Sequence, residues 1–503
     1  MKLFNGGHIA FKDIPLLAEK DFRGEVLLRC HDGARLANFF GSPVAGGSVR
    51  LIAILAFDEE SELQILSAKI PEESPRYKSL TKELLQAHLF EREIAEQWAI
   101  LPEGHPWLKP IRYHANYRGV PDLWKNIAQQ TIPGSYPFYA VGGEEVHEVG
   151  VGPVHAGIIE PGHFRFQCHG EEVIHLETQL GYQHRGIEPM MCGKDLKRGV
   201  LLSESIAGDT SIGHSTAFCE VVESLAGCKV PIKAQAIRAV ALELERLANH
   251  VGDLGALGMD AGFLPTSAYF GRMRGDYLNL LLELTGNRFG KGLCRPGGVL
   301  FDMDVAMAED FRRKLGRYKK EFEDVSDLLF TRSSVLARFE GIGTVPLKTA
   351  KNLGLVGPVA RASQLEHDVR IDYSSGIWQF HHVPISLAAT GDVYARALVR
   401  RQEVMRSLEF LLKLLSSLPK GQIFTPSGSL KTETLAVSLV EGWRGEIMHV
   451  GITDSQGALA QYKIKDPSFH NWFALTLAMR NQEISDFPVC NKSFNLSYCG
   501  HDL

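Results

Sequence analysis

A long run of apolar residues with helical spacing constrains the fold of this chain more than any other feature. From Ile237 the apolar side chains recur every three or four residues, which places them on one face of a helix. They stand at positions 237, 240, 241, 244, 247, 248, 251 and 254. Pro231 can begin this helix one or two turns earlier, because proline is favoured in a first helical turn. The pattern predicts a long helix in the core of a mainly helical domain.

Further helices and strands are predicted around it. Apolar periodicity favours helices at about 308–330 and 392–418, and Pro419 ends the second one. The last 65 or so residues predict short strands at 446–452 and 459–464, and then a helix at about 467–480.

The amino-terminal part has a different character. Strand-like runs at 49–57 and 63–70 precede a helix that Ser74-Pro75 can begin and that reaches about residue 98. A proline- and glycine-containing segment at 131–137 is typical of a linker, and alternating residues at 163–176 predict an antiparallel hairpin. We therefore expect an α+β domain at 1–130, a linker at 131–145, and a mainly helical domain with peripheral β-hairpins at 146–503.

Composition limits the class of protein. The chain has 503 residues and a formal net charge of −5, which gives no indication of nucleic-acid binding. Its longest uninterrupted apolar run, 51–57, is far shorter than the ~20 residues of a membrane-spanning helix. The eight cysteines include no C-x-x-C pair, which favours reduced thiols in a reducing compartment. We expect a soluble protein on the cytoplasmic side of the membrane.

Local motifs alone identify no site. Six of the nineteen histidines lie between His147 and His184, but none form an H-x-H or H-x-x-x-H pair, so hydrogen-bonded surface histidines are the simpler interpretation. An imidazole there could still donate a proton. Glu160 is either a loop carboxylate or, if buried, a group that relays protons, since desolvation would raise its pKa. No G-x-G-x-x-G motif indicates a nucleotide site.

Five short segments, in order along the chain, indicate a family. The first, GYQHRGIE at 181–188, carries an H-R-G-x-E pattern. The others are GHSTA at 213–217, LERLANH at 244–250, LTGNR at 284–288 and EGWRGE at 441–446. This series resembles the large subunits of group 4 membrane-bound nickel-iron hydrogenases and the quinone-site core subunit of respiratory complex I.

The resemblance extends over nearly the whole chain. The segments GPVH at 152–155 and EPGHFR at 160–165 look like the first β-hairpin of that family. EREI at 91–94 and GHP at 104–106 are similar to the neighbouring small core subunit of complex I. The chain thus resembles a fusion of both subunits, as in the large subunit of formate hydrogenlyase. The resemblance implies a small α+β domain of the complex I small-subunit type, followed by a domain of the hydrogenase large-subunit type.

The family's metal ligands are missing from the sequence. Hydrogenases hold nickel and iron through four cysteines in the motifs R-x-C-G-x-C and D-P-C-x-x-C, which fall here on SIAGDT at 205–210 and NLSYCG at 495–500. The cysteine positions hold Ala207, Thr210, Ser497 and Gly500. Nickel and iron require soft thiolate donors, so we expect no metal in this chain. Cys499 lies between two ligand positions, and we expect Cys490 and Cys499 to be ordinary buried cysteines.

A magnesium site is doubtful as well. The family's magnesium carboxylate matches Glu188, but the position of the expected histidine or arginine is Leu503.

Other cavity residues are retained. Glu160 matches the glutamate that passes protons to the metal in hydrogenases, and Arg444 matches an arginine of the family's P-R-G segment. The resemblance implies that both line the former metal cavity, where they form either a proton or ligand site or a pair that merely satisfies each other. His214 is either a cavity residue or a helix-packing histidine. His155 and His163 could donate to the carbonyl of a quinone or another acceptor, although the tyrosine that holds the quinone in complex I has no counterpart at 203–214.

The resemblance also implies partners and a location. They are a small iron-sulfur subunit of the complex I cluster-N2 type, a ferredoxin-like iron-sulfur subunit and antiporter-like membrane subunits, with no nucleic acid. The chain would bind no cofactor of its own, apart from a quinone if the cavity accepts one, and would sit peripherally on the cytoplasmic face of the inner or plasma membrane.

Three hypotheses of function follow. The first is electron transfer to an acceptor such as a quinone, coupled to ion translocation and shaped by Glu160, Arg444 and the histidines. The second is a redox-silent scaffold that couples an iron-sulfur partner to the membrane arm. The third, an active hydrogenase with substitute ligands, is disfavoured by the missing cysteines.

Overall fold

The structure, a computed structural model, describes residues 2–44, 46–124, 137–157 and 159–503. The described residues of the amino-terminal part contain eight strands, β1 Lys2–Leu3, β2 His8–Ala10, β3 Leu16–Leu17, β4 Arg35–Pro43, β5 Val49–Phe57, β6 Glu62–Ile70, β7 Arg76–Lys78 and β8 Leu101–Glu103, and two α-helices, α1 Glu19–His31 and α2 His88–Trp98. Its main sheet has the order β1-β6-β5-β4, with β3 beside β6.

Strand β5 explains why the longest apolar run belongs to a sheet. One face of β5, with Leu51, Ala53 and Leu55, packs with residues of α1 and α2. The other face, with Ile52 and Ile54, packs against strands from the far end of the chain. A strand buried on both faces is apolar at every position instead of at alternate positions. Within the described residues, no helix is long and apolar enough to cross a membrane.

The helix predicted from Ser74-Pro75 begins later than expected. Residues Arg76–Lys78 form β7, which pairs in parallel with β8, and α2 begins only at His88. Glu91 accepts hydrogen bonds from the hydroxyl groups of Ser79 and Thr81 and from the backbone N–H of Leu80. These bonds hold residues 79–81 in a turn. The carboxylate of Glu91 in α2 therefore fixes a segment that the sequence pattern assigned to the helix itself.

The rest of the chain is mainly helical, as expected. Its strands are β9 Val146–Val151, β10 His163–His169, β11 Glu172–Gln179, β12 Cys294–Arg295, β13 Gly298–Val299, β14 Thr434–Gly442, β15 Gly445–Thr453 and β16 Leu459–Lys465. Its helices are α3 Ile187–Met190, α4 Leu196–Ser203, α5 Ser211–Ala226, α6 Ile232–Asp260, α7 Leu264–Thr285, α8 Val305–Thr331, α9 Ser333–Phe339, α10 Leu347–Leu353, α11 Gly357–Ala362, α12 Val369–Asp372, α13 Val393–Ser416, α14 Pro467–Ala478, α15 Phe487–Phe494 and α16 Tyr498–Asp502. The predicted long helix is α6, and it packs against α7 and α13.

The predicted hairpin is confirmed and gains a third strand. Strands β10 and β11 pair antiparallel, and β9 lies on the other side of β10. The two ends of the chain meet in another sheet of order β16-β15-β14-β2, where His8–Ala10 pairs with residues 434–436. The predicted boundary at residue 130 and the start of the predicted linker, 131–136, lie outside the described residues, and the division into domains stays a prediction.

Candidate functional site

We call the two segments that the resemblance aligns with hydrogenase ligand motifs, 205–210 and 495–500, the former ligand segments, and the place where they meet the former metal position. The first of them lies at the start of α5. Ala207 and Thr210 are buried there, just before the helix begins at Ser211. Glu245 of α6 accepts hydrogen bonds from the backbone N–H groups of Ile212 at 2.7 Å and Gly213 at 3.2 Å, so its carboxyl group caps the helix. Burial raises the pKa of Glu245 to about 8 in spite of these two bonds. The residue therefore holds a proton near neutral pH at the edge of the former metal position.

Arg444 joins this segment to the turn between β14 and β15. Its guanidinium donates to both carboxylate oxygens of Asp209, at 2.6 and 2.8 Å, and to the Thr210 hydroxyl at 3.2 Å. Burial alone would raise the pKa of Asp209, but the charge and hydrogen bonds of Arg444 lower it. The side chain of Asp209 is 35% exposed whereas that of Arg444 is 5% exposed. Arg444 and Asp209 therefore form an ion pair in which the arginine is buried and the carboxylate is partly exposed to solvent.

The second former ligand segment packs against the first. The Arg444 Nε–H donates to the carbonyl oxygen of Asn495 at 2.6 Å. The Ser497 hydroxyl accepts the backbone N–H of Gly500 at 2.9 Å and caps α16. A Cβ atom on Gly500 would lie 2.6 Å from Oδ2 of Asp466, so no side chain fits there without movement. Both positions are thus occupied by the protein's own contacts.

Glu160 reaches the same place from the loop that precedes β10. Its Oε2 accepts the backbone N–H of Tyr498 at 3.3 Å, and its carboxylate is hydrogen-bonded to the thiol of Cys499. Burial and the charge of Glu160 raise the pKa of Cys499 to about 12, which keeps it a neutral thiol. The prediction of an ordinary buried cysteine is confirmed for Cys490 but is wrong for Cys499, which is partly exposed beside Glu160.

His214 begins a line of buried hydrogen bonds. Its Nε2 lies 3.1 Å from Oδ2 of Asp466, its Nδ1 lies 3.0 Å from Nε2 of His449, and Nδ1 of His449 lies 2.9 Å from the hydroxyl of Tyr462. A carboxylate only accepts, so in the simplest assignment each ring donates toward Asp466 and the tyrosine donates to His449. Burial and His214 hold the pKa of His449 well below its usual range, so that ring is neutral. The four side chains form a line along which one proton can move.

His155 and His163 bind the backbone of their own loop. The Nε2–H of His155 donates to the carbonyl oxygen of Gly162 at 2.9 Å, and the Nδ1–H of His163 donates to that of Gly152 at 3.0 Å. The other ring nitrogen of His163 accepts from Arg165 at 3.3 Å. In this conformation both rings fix the loop that carries Glu160, and His163 has no ring nitrogen left for an acceptor.

The donor atoms present do not fit a nickel-iron centre. The four former positions supply a methyl group, two hydroxyl groups and a hydrogen, and both hydroxyls already take part in hydrogen bonds. Among the described residues, no group of three or more His, Cys, Asp or Glu side chains is arranged to hold a metal ion.

Glu188, the position related to magnesium, forms an ion pair within the protein. The Lys463 ammonium lies 3.0 Å from its Oε1 and 2.7 Å from Oε2 of Glu93.

In the structure, Glu160 contacts the second former ligand segment, and Arg444 contacts both segments. His214 lies next to them and is hydrogen-bonded to Asp466. Sequence reasoning missed Asp209, Glu245, Asp466 and His449. Asp209 stands between two former ligand positions and could have been found there. Glu245 lies within the LERLANH segment at 244–250, where the family resemblance could have drawn attention to it, whereas Asp466 and His449 lie on other elements and carry no local signal.

The sequence of the chain is similar to known protein families and to individual proteins. Residues 260–437 match the family model described as "Respiratory-chain NADH dehydrogenase, 49 Kd subunit", and residues 31–128 match "Respiratory-chain NADH dehydrogenase, 30 Kd subunit". Formate hydrogenlyase subunit 5 of Escherichia coli is 28% identical over 93% of this chain and 84% of its own length. A subunit of the F(420)H(2) dehydrogenase of Methanosarcina mazei is 30% identical over 64% of this chain and 84% of its own length.

The fold is also similar to a solved structure. A chain in the structure of the membrane-bound sulfane sulfur reductase, described as an archaeal respiratory membrane complex, aligns with a TM-score of 0.67 at 24% identity. The alignment covers 73% of this chain and 100% of that one.

Proposed function

Because the chain belongs to the family of the 49 Kd subunit of respiratory-chain NADH dehydrogenase and its membrane-bound hydrogenase relatives, we propose that it acts in such a complex without a nickel-iron centre. It is a core subunit of the complex I and hydrogenase type, with a region of the 30 Kd type at its amino-terminal end. Its role in our proposal is that of the large peripheral subunit of a respiratory complex that transfers electrons and translocates ions.

The proposal rests on the residues that occupy the former metal position. Asp209 and Arg444 pair there, Thr210 and Ser497 use their hydroxyls within the protein, and Asp466 occupies the space beside Gly500. A nickel-iron centre would need four thiolates at these positions.

Proton handling is the chemistry that these residues support. Reduction of a quinone-like acceptor consumes protons as well as electrons, and the electrons would come from an iron-sulfur cluster of a small partner subunit. The line of Asp466, His214, His449 and Tyr462 carries exchangeable protons, and the Glu160 carboxylate accepts hydrogen bonds from the Tyr498 N–H and the Cys499 thiol. We assign Glu160 and the His214 line to proton supply, and the Asp209–Arg444 pair to the electrostatics of the acceptor site.

The proposed partners follow from the family. They are an iron-sulfur subunit of the cluster-N2 type, a ferredoxin-like subunit and antiporter-like membrane subunits, with this chain bound peripherally on the cytoplasmic face. The alternative is a redox-silent scaffold, which the mutual pairing of Asp209 and Arg444 would also permit.

One set of experiments on the purified complex separates these alternatives. Elemental analysis should find iron from the partner subunits and no stoichiometric nickel; nickel at one atom per complex would overturn the proposal. Acceptor-dependent turnover should fall at least tenfold in Glu160→Gln and in Arg444→Ala, because each loses a charge at the site. The matched control is Glu171→Gln, an exposed glutamate at the hairpin turn. Unchanged turnover in both site variants would favour the scaffold.

A further inference from the structure

A second cavity lies away from the site described above. It has a volume of about 280 Å³ and is enclosed by α2, the loop at 105–113, β11 and α14. None of Glu160, Asp209, Arg444 and His214 lines it. Its volume is close to the lower end of the usual range for small-molecule sites, roughly 300 to 1,000 Å³.

Much of the wall of this cavity is apolar. Four aromatic side chains line it, together with aliphatic side chains from α2, β11, α10 and the adjoining loops. The aromatic residues are Trp107, Tyr113, Trp472 and Phe473, and the aliphatic ones include Leu85, Leu89, Leu176, Leu180 and Leu353. Aromatic walls of this kind favour a planar ring system, which can stack or make edge contacts with them.

Two buried polar atoms on the wall lack partners. Gln179 is 4% exposed, and its Oε1 makes no hydrogen bond to any described residue. The same is true of Nε2 of His175, which lies on the same face of β11 four residues earlier. Leaving a buried polar group unpaired is unfavourable, so groups of this kind in a cavity indicate a polar partner supplied from outside.

The cavity carries positive charge at its edge. Arg480, two residues after the end of α14, is exposed and forms no ion pair within the part of the chain that the structure describes. The acidic side chain on the wall, Glu177, is paired with Lys109 at 2.7 Å. Burial and the charge of Arg480 lower the pKa of His175, so its ring is neutral and can donate or accept one hydrogen bond.

We propose that this cavity binds a small amphipathic anion. Its planar aromatic part lies between Trp107, Trp472 and Phe473, its polar edge meets Gln179 and His175, and its anionic group lies at Arg480. The site is independent of the proposed electron-transfer site, because the two share none of the residues used in either argument.

Two fluorescent probes test this on the full chain. The first is 8-anilino-1-naphthalenesulfonate, a planar aromatic sulfonate, and the second is the uncharged N-phenyl-1-naphthylamine. We expect saturable one-site binding of both. Arg480→Gln should weaken binding of the sulfonate about tenfold and leave that of the uncharged probe unchanged, whereas Arg313→Gln, a control at an exposed arginine of α8, should change neither.

A filling variant tests the location. Thr476 lines the cavity, and Thr476→Trp should abolish saturable binding of both probes. Thermal unfolding of the Thr476→Trp variant is measured alongside, to show whether this variant folds. If it does not, the binding measurements on Arg480→Gln decide the test. Equal sulfonate affinity of Arg480→Gln and the unchanged protein, or retained binding in a folded Thr476→Trp variant, would overturn the proposal.

Discussion

Glu245 is a buried carboxyl group held by two backbone N–H groups at the start of α5. A buried carboxyl group that forms no ion pair favours its neutral form, because its charged form loses hydration that the two bonds only partly replace. The former metal position therefore contains two kinds of acid. Asp209 is held ionised by Arg444, whereas Glu245 keeps its proton.

This difference predicts a pH dependence of stability. Burial raises the pKa of Glu245 from 4.5 to about 8, so the folded chain retains a proton that the unfolded chain releases between these values. Its contribution to stability is full below pH 4.5 and is lost as the pH rises through 8. In Glu245→Gln, the free energy of unfolding should fall less steeply between pH 5 and 8, by up to about 1.4 kcal/mol per pH unit. Denaturant titrations at several pH values measure this, and a slope equal to that of the unchanged protein would contradict it.

At the scale of elements, the carboxyl-terminal segment that the resemblance aligns with a metal-ligand motif is held by ordinary structural contacts. Ser497 caps α16, and Asn495 accepts from Arg444, so residues next to or at former ligand positions now hold backbone geometry. Asp466 is fixed by the N–H of Ser468 at 2.8 Å and by His214, and it fills the space next to Gly500.

Two glycines of the former ligand segments should therefore respond differently to alanine. Gly500→Ala would bring a methyl carbon to 2.6 Å from Oδ2 of Asp466 and should lower the free energy of unfolding by about 1–3 kcal/mol. Gly208→Ala is the matched control, because a Cβ atom there meets nothing within 4 Å, and its effect should stay within about 0.5 kcal/mol. Equal losses in chemical denaturation would show that crowding by Asp466 is not the cause.

At the scale of the whole molecule, the two family-related parts share one structure. Strand β2 pairs with β14, and the far face of β5 packs with apolar residues of β14 and β15. Arg35 of β4 also pairs with Glu446 of β15 at 2.8 Å, and that carboxylate pairs with Lys465. Separating the parts would expose both an apolar surface and buried charges.

Fragments of the chain should therefore depend on each other. Residues 1–124 and 137–503 expressed separately should aggregate or lack a cooperative thermal transition, because the shared apolar face and the Arg35–Glu446 pair would be exposed to water. When expressed together they should co-purify as a 1:1 complex, which size-exclusion chromatography with light scattering detects. Independent cooperative unfolding of both fragments would contradict this. Arg35→Gln in the first fragment should weaken the complex, and Lys2→Gln, whose partner Glu62 is in the same fragment, is the control.

The sequence by itself determined the features that depend only on residues close together along the chain. The spacing of apolar residues predicted α6, α8 and α13, and the residues at the former ligand positions excluded a set of four thiolates. The start of α2 could not be predicted, because side chains of 79–81 bind Glu91 instead of continuing the helix.

Only the tertiary structure decided which residues meet. Asp209 and Arg444 are 235 positions apart in sequence, and His214 and Asp466 are 252 apart. The cavity beside Gln179 combines α2, β11 and α14. No local pattern encodes such pairs, because side-chain spacing along one helix or strand defines a face but does not determine which face of another element packs against it.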